Sequence, residues 1–220
     1  MSKVFRPTVF NDLISPPEQQ VIYQQLLDEF CADQTTHIVS IAEHSLSLYQ
    51  NGICQLLHHQ LQAKVEQAVG CSVLPSFAYA RIYLNQAQLV RHFDRPACEI
   101  SATLCVAIDA KSPWPIYAEV DGEVLDTQLN PGDMMVYMGR EHPHWRDAFE
   151  GNFCLQVILC YVVKDGPYHE HAGDSWRLNS VGEQPVARTL DDVHARYRAA
   201  LPGYLLTQLR RDQKAKEDAG

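Results

Sequence analysis

From Leu74 to Val163 the chain alternates apolar and polar residues with a period of two, in short runs rich in Tyr, Val, Ile and Thr. Successive side chains of an extended strand point to opposite faces, so this period selects β-structure over the helical period of about 3.6. Strands are expected over residues 76–84, 88–94, 98–109, 114–120, 123–129, 133–138, 142–147 and 153–163. Asn85-Gln86, Arg95-Pro96, Pro113, Asp121-Gly122, Asn130-Pro131-Gly132 and Glu150-Gly151 mark the turns between them. Many short strands at such spacing need a closed arrangement, and a sandwich or jelly roll supplies it. The fold class is therefore mainly β with flanking α.

The flanks carry the helical period instead. Ser15 precedes Pro16-Pro17-Glu18, where prolines in a first turn lose no needed N–H, and Val21, Ile22, Leu26, Leu27 and Phe30 follow on one face. Ile53, Leu56, Leu57, Leu61, Val65 and Val69 predict a second helix, closed by Gly70. Past Asp165-Gly166-Pro167 the chain turns polar, and a helical tail is expected through Leu190, Val193, Tyr197 and Leu201, then Leu205, Leu206 and Leu209. The expected organisation is helical support over residues 1–72, a double-stranded β-helix core over 73–165, and a loop and helical C-terminal extension over 166–220. Residues 164–187 are a candidate lid.

Composition narrows the classes of function. A chain of 220 residues buries roughly 70% of its unfolded surface, so a core forms without staples. Eighteen basic residues against 27 acidic ones give a formal charge of −9. That balance makes nucleic acid an unlikely partner and argues against a polybasic membrane anchor. The seven cysteines include no CxxC pair, and Cys98, Cys105, Cys154 and Cys160 sit in apolar runs as small hydrophobes. The N-terminus lacks the apolar stretch of a secretory signal. The longest apolar run, Val157 to Val163, is far too short to span a bilayer. A soluble cytoplasmic protein is expected. The ten histidines stand out.

His92-Phe93-Asp94 places two metal-competent side chains at i and i+2, on one face of a strand. His142-Pro143-His144 follows near the end of the same β-rich block. Two histidines and one carboxylate make a facial triad that leaves coordination positions open, a set suited to non-haem Fe(II). His58 and His59 have no partner four residues away and are read as helix-flank histidines; His169-Glu170-His171 is read as a solvated loop. Trp145, next to the distal ligand, points away by parity and is expected in the core, as are the aromatics near Trp114. No phosphate-cradling glycine loop, nucleophile elbow or H-E-x-x-H helix is present.

Over residues 76–163 this pattern resembles the Fe(II)/2-oxoglutarate-dependent dioxygenases, particularly the prolyl 4-hydroxylase-like branch. That branch carries a Tyr nine residues before the H-x-D motif; Tyr83 stands there, with Gln86 where the branch has Gly. Ser101 is nearest to its Thr on the following strand, and Asn130-Pro131-Gly132-Asp133 matches the turn before its last strands. The resemblance implies Fe(II) held by His92, Asp94 and His144, with His144 preferred over His142, and 2-oxoglutarate and O2 as cosubstrates. It implies hydroxylation of a substrate with release of succinate and CO2. In one respect the chain departs. The branch holds the distal carboxylate of 2-oxoglutarate with Lys or Arg nine or ten residues past the distal His, where this chain has Phe153 and Cys154. Two cations share a strand face with expected site residues: Arg81, two before Tyr83, and Arg146, two after His144, of which Arg146 is preferred. Arg95 is assigned a structural pairing with Glu99.

Two further readings are of different classes: a jelly-roll metal-binding or structural protein without oxygenase activity, and a metal oxygenase that does not use 2-oxoglutarate. The substrate is open between a small molecule and a peptide, and oligomeric state is not legible.

Overall fold

The structure, a computed structural model, describes residues 4–32, 36–37, 41–49 and 51–173. The expected C-terminal helix and the distal part of the candidate lid, residues 174–187, lie outside the described residues. In chain order the elements are β1 (Thr8–Phe10), α1 (Pro16–Ala32), β2 (Thr36–His37), β3 (Ser45–Tyr49), α2 (Gly52–Gln60) and α3 (Gln62–Val69). β4 (Val73–Leu84), β5 (Leu89–His92), β6 (Ile100–Ala110) and β7 (Ile116–Val120) follow, then β8 (Glu123–Thr127), β9 (Met134–Tyr137), β10 (His144–Arg146) and β11 (Gly151–Val163).

The strands form two antiparallel sheets, one in the order β1-β9-β6-β11-β4-β3-β2 and a smaller one in the order β5-β10-β7-β8. From β4 to β11 consecutive strands alternate between the sheets, except at the β7–β8 hairpin, which is the jelly-roll, or double-stranded β-helix, topology. All eight strands expected from the period of two are present. β1, β2 and β3 were not read from the sequence. They extend the larger sheet at both edges, β1 on β9 and β3 on β4. The Ser45–Tyr49 run does alternate, but all five residues are buried, so no exposed polar face announces it.

The helices pack on the outer face of the larger sheet, and alternation along the strands explains why. Ala78, Ala80, Ile82 and Leu84 of β4, with Leu155, Val157, Leu159 and Tyr161 of β11, join Ile22, Leu26, Leu27 and Phe30 of α1 in one apolar core. The residues between them, Phe77, Tyr79, Arg81 and Tyr83 on β4 and Ile158 and Cys160 on β11, line a cavity between the sheets. β11 reads as a continuous apolar run because it is covered on both faces.

Local signals place the helices. Ser15 donates from its backbone N–H to the Glu18 carboxylate (2.7 Å) and opens α1 as a capping box. Asn51 caps α2, its Oδ1 accepting from the N–H groups of Ile53 and Cys54 (2.8 and 3.1 Å). The expected single second helix is interrupted at Leu61, which closes α2 and opens α3; Gly70 terminates α3 in the left-handed conformation at φ 73°. His58 is not a surface residue. It is buried beneath β11, its imidazole N–H donating to the Cys160 carbonyl (2.7 Å) and its ring edge-on to Tyr161. Among the described residues no helix is long and apolar enough to cross a membrane.

Candidate metal centre

His92, Asp94 and His144 come together in the lining of the inter-sheet cavity, and their candidate ligand atoms lie within 4.8 Å of one another. His144 pairs directly with His92 across the antiparallel β5–β10 ladder. This places both imidazoles on one face, their ring centroids 4.3 Å apart. The sequence placed Asp94 on the same strand as His92. In the structure β5 ends at His92, and Asp94 is held by the loop before β10 instead: its N–H donates to the Gly139 carbonyl (2.8 Å) and its own carbonyl accepts from Arg140 Nη1 (2.9 Å).

The imidazoles are oriented for ligation. His92 Nδ1 bonds the Val90 carbonyl (2.7 Å), and His144 Nδ1 bonds the His142 carbonyl (3.0 Å). A carbonyl can only accept, so each Nδ1 carries the proton and each Nε2 presents a lone pair. The two Nε2 atoms lie 3.5 and 3.7 Å from Asp94 Oδ1. Burial holds the His144 imidazole below its ordinary pKa, and hence neutral, despite the adjacent Asp94. Burial alone would raise Asp94, but the adjacent His144 and His92 and a hydrogen bond from Ser101 hold its carboxyl below the usual range. Two imidazoles and one carboxylate on one side of a cavity form a set that fits a divalent cation.

Ser101, expected as a cofactor contact, donates from Oγ to Asp94 Oδ2 (2.6 Å) and so fixes the carboxylate oxygen turned away from the histidines. His142 lies outside the triad; it is buried, with its ring stacked at 6.1 Å on Phe5, and supplies the carbonyl that orients His144. Gly139 is a residue the sequence reading missed. A Cβ there would overlap Asp94 Oδ2 and the Cys98 carbonyl and lie 2.8 Å from Ser101 Oγ, so only glycine lets this loop approach Asp94. Its signal was present in the turn before His142, but nothing in the sequence said what the turn must touch.

The other expected residues line the same cavity, whose volume is about 290 Å³. Tyr83 is buried and meets Trp114 edge-on at 5.0 Å. Arg146 is 3% exposed and its guanidinium lies over the Trp114 ring at 4.7 Å. Its Nη1 donates to the Trp114 carbonyl (2.6 Å), while its Nη2 is buried with no hydrogen-bond partner. Phe153 faces the helices, whereas Cys154 faces inward. Burial would raise the Cys154 thiol, but a hydrogen bond from Cys105, the charge of Arg146 and Gln156 bring it below its ordinary value. Arg146 thus reaches the neighbourhood of Cys154 from the opposite sheet. Arg81 is equally buried and donates from Nε to Ser47 Oγ (2.8 Å). Arg95 lies with its guanidinium 4.3 Å over the Phe77 ring, at the cavity rim. Trp145 is not in the core: it is half-buried on the outer face of the smaller sheet, stacked on Tyr117 at 5.5 Å. His169–His171 form a single surface turn after β11, with His169 and Glu170 exposed and His171 partly buried.

No protein-family model matches the chain, and no curated protein sequence matches it. Solved structures do. A prolyl-4-hydroxylase from Pseudomonas putida superposes with a TM-score of 0.57 at 14% identity, over 70% of this chain and 91% of that one. HygX from Streptomyces hygroscopicus, solved with nickel, 2-oxoglutarate and hygromycin B, superposes with a TM-score of 0.60 at 10% identity, over 79% and 86% of the two chains. A prolyl hydroxylase from Trichoplax adhaerens, in complex with a peptide fragment of hypoxia inducible factor, gives 0.57 at 10% identity over 72% and 84%. At these identities the likeness is one of fold. The resemblance read from the sequence, to Fe(II)/2-oxoglutarate oxygenases and to prolyl 4-hydroxylases among them, is matched at that level.

Proposed function

We propose that the protein is a non-haem Fe(II)- and 2-oxoglutarate-dependent oxygenase that hydroxylates a small-molecule or peptide substrate. The observation that carries this reading is the triad itself: both Nδ1 atoms tied to backbone carbonyls, with both Nε2 atoms and Asp94 Oδ1 converging in the lining of a cavity. His92, Asp94 and His144 would hold the metal, which supplies activation of O2 coupled to oxidative decarboxylation of the 2-oxo acid to succinate and CO2. The chain's own residues orient and insulate. Asp94 offsets one of the metal's charges, Ser101 fixes the carboxylate, and the Val90 and His142 carbonyls fix the rings. Arg146, with one N–H pair unspent in the interior, receives the distal carboxylate of 2-oxoglutarate, with Tyr83 in the same cavity. It takes over the part that Lys or Arg would play at the Phe153 and Cys154 positions.

Anaerobic titration tests this. Fe(II) followed by 2-oxoglutarate should raise a weak visible charge-transfer band, and admission of O2 should release succinate; Asp94→Ala should bind neither. A band absent from wild type with both ligands present sinks the proposal. A second reading, a metal oxygenase that takes no 2-oxo acid, draws on Phe153 and Cys154 standing where the cation is expected. Tight Fe(II) binding with no response to 2-oxoglutarate would favour it.

A further inference from the structure

We propose that Arg81 receives a carboxylate of the substrate being oxidised, so that the substrate class is a small organic acid with an apolar body. The inference rests on the oxygenase reading and extends it. Arg81 and Arg146 both line the cavity and are each 3% exposed. Among the described residues neither forms an ion pair with a carboxylate. A buried guanidinium without a counter-charge is costly, and two such groups in one cavity call for anions from outside.

The cations belong to different walls. Arg146 comes from β10 of the smaller sheet and lies over Trp114. Arg81 comes from β4 of the larger sheet; it is tied to Ser47 on β3 and lies 5.1 and 5.8 Å over the rings of Tyr79 and Tyr83. Burial keeps the Tyr79 phenol protonated even beside Arg81, so Tyr79 supplies no negative charge. The charge count then decides. Arg95 lies half-buried at the rim with interactions of its own and stays outside the count; inside, a divalent metal and Arg146 are matched by Asp94 and the two carboxylates of 2-oxoglutarate, which leaves the Arg81 charge in surplus by one. A carboxylate cancels that surplus, whereas a phosphate monoester, at about −1.5 to −2, would overshoot it.

The wall beside Arg81 indicates the rest of the molecule. Phe77 and Tyr79 stack at 5.7 Å with an interplanar angle of 8°, and Tyr49 packs on Tyr79 at 5.1 Å. Phe77 pairs across the sheet with Cys160, and Cys160 with Ser101, which holds Asp94. An apolar face therefore runs from Arg81 to the triad, and an acid anchored at Arg81 lays its C–H bonds along that face toward the metal position.

The test uses the full chain loaded anaerobically with Ni(II) and 2-oxoglutarate, and calorimetric titration of 3-phenylpropionate and hexanoate against their neutral amides. Each acid should bind roughly tenfold or more tighter than its amide, as a lost charge-assisted pair implies. Arg81→Gln should erase that preference and leave 2-oxoglutarate affinity within about threefold, and Arg81→Lys should restore part of it. Equal binding of acid and amide by wild type overturns the proposal without needing any variant. So does an Arg81→Gln variant that loses 2-oxoglutarate instead, because Arg81 then clamps the cosubstrate. Wild type that binds Ni(II) but no 2-oxoglutarate is a distinct result, and refutes the oxygenase reading and this one together.

Discussion

Replacing Ser101 with Ala removes one atom that touches the proposed metal ligand without being one. Ser101 Oγ donates to Asp94 Oδ2 at 2.6 Å, in a site where Ser101 is fully buried and the Asp94 side chain is 17% exposed. The bond has a charged acceptor, and such bonds contribute about 1.5–3 kcal/mol. With the bond gone, Asp94 keeps its backbone anchor to Gly139, but nothing fixes rotation of the carboxylate away from the two Nε2 atoms. If that bond energy is spent on holding the ligand geometry, Mn(II) affinity falls by roughly ten- to a hundredfold, at about 1.4 kcal/mol per factor of ten. The measurement is anaerobic calorimetric titration of Mn(II) into wild type, Ser101→Ala and Ser101→Thr, with urea unfolding of each metal-free protein alongside. Ser101→Thr should keep near-wild-type affinity because its hydroxyl sits at the same atom. An affinity unchanged within about twofold in Ser101→Ala would refute the reasoning, since the carboxylate would then be positioned by its backbone alone.

Three other perturbations separate the parts of the site. Gly139→Ala drives a methyl group into Asp94 and the Cys98 carbonyl, so metal affinity should fall by tenfold or more, at a stability cost of about 1–3 kcal/mol; unchanged Mn(II) binding would show that the loop yields freely. Arg146→Met should weaken 2-oxoglutarate binding roughly a hundredfold while Mn(II) affinity stays at the wild-type level, and a variant that still binds 2-oxoglutarate normally would remove Arg146 from that role. Burial lowers His58 from 6.5 to about 4, so above pH 6.5 it is neutral in both states and contributes no slope. As pH falls below 6.5 the unfolded chain takes up the proton first, and about 3 kcal/mol of stability is lost by pH 4; His58→Gln should flatten that part of the unfolding profile, and an unaltered slope would mean other groups produce it.

The period of two was enough to locate the eight strands of the double-stranded β-helix, because the two faces of each strand meet different surroundings: helices and cavity in the larger sheet, cavity and solvent-facing surface in the smaller. It was not enough for β1, β2 and β3. β1 and β2 are only three and two residues long, too short to show a period, and β3 alternates over five residues with its polar Ser face buried rather than exposed. The triad was legible for a local reason: His92 and His144 face each other across a ladder whose side-chain direction follows from residue parity. Asp94 arrived at the expected place by another route, through Gly139, and that loop contact between residues 45 apart leaves no periodic trace. His58 failed for the converse reason. A helix pattern shows which residues could be outside, but the Cys160 carbonyl that satisfies His58 inside is supplied by a strand 102 residues away.

Phe153 and Cys154 are the point at which sequence position and spatial position part. Counting along β11 from the distal His leads to a residue under the helices and to a thiol, and so to no cation. Counting across the cavity leads to Arg146, which is two residues past His144 on the facing sheet and close enough to Cys154 to lower its thiol pKa. A closed pair of sheets makes this exchange possible, because every inward residue of one wall lies opposite an inward residue of the other. What an acidic cosubstrate requires is a guanidinium with unspent N–H groups at the end of the cavity, and the strand that brings it is secondary. Under the proposed reading Arg146 would meet that requirement, with Nη1 fixed on the Trp114 carbonyl and Nη2 left without a partner. On β11 itself, Gln156 accepts from Thr103 of β6 (2.9 Å) and donates to Cys154 Sγ (3.1 Å), so this stretch of the wall is polar and carries no cation. In a chain with a formal charge of −9, the interior where acids would bind is the local exception, lined by buried arginines from both sheets.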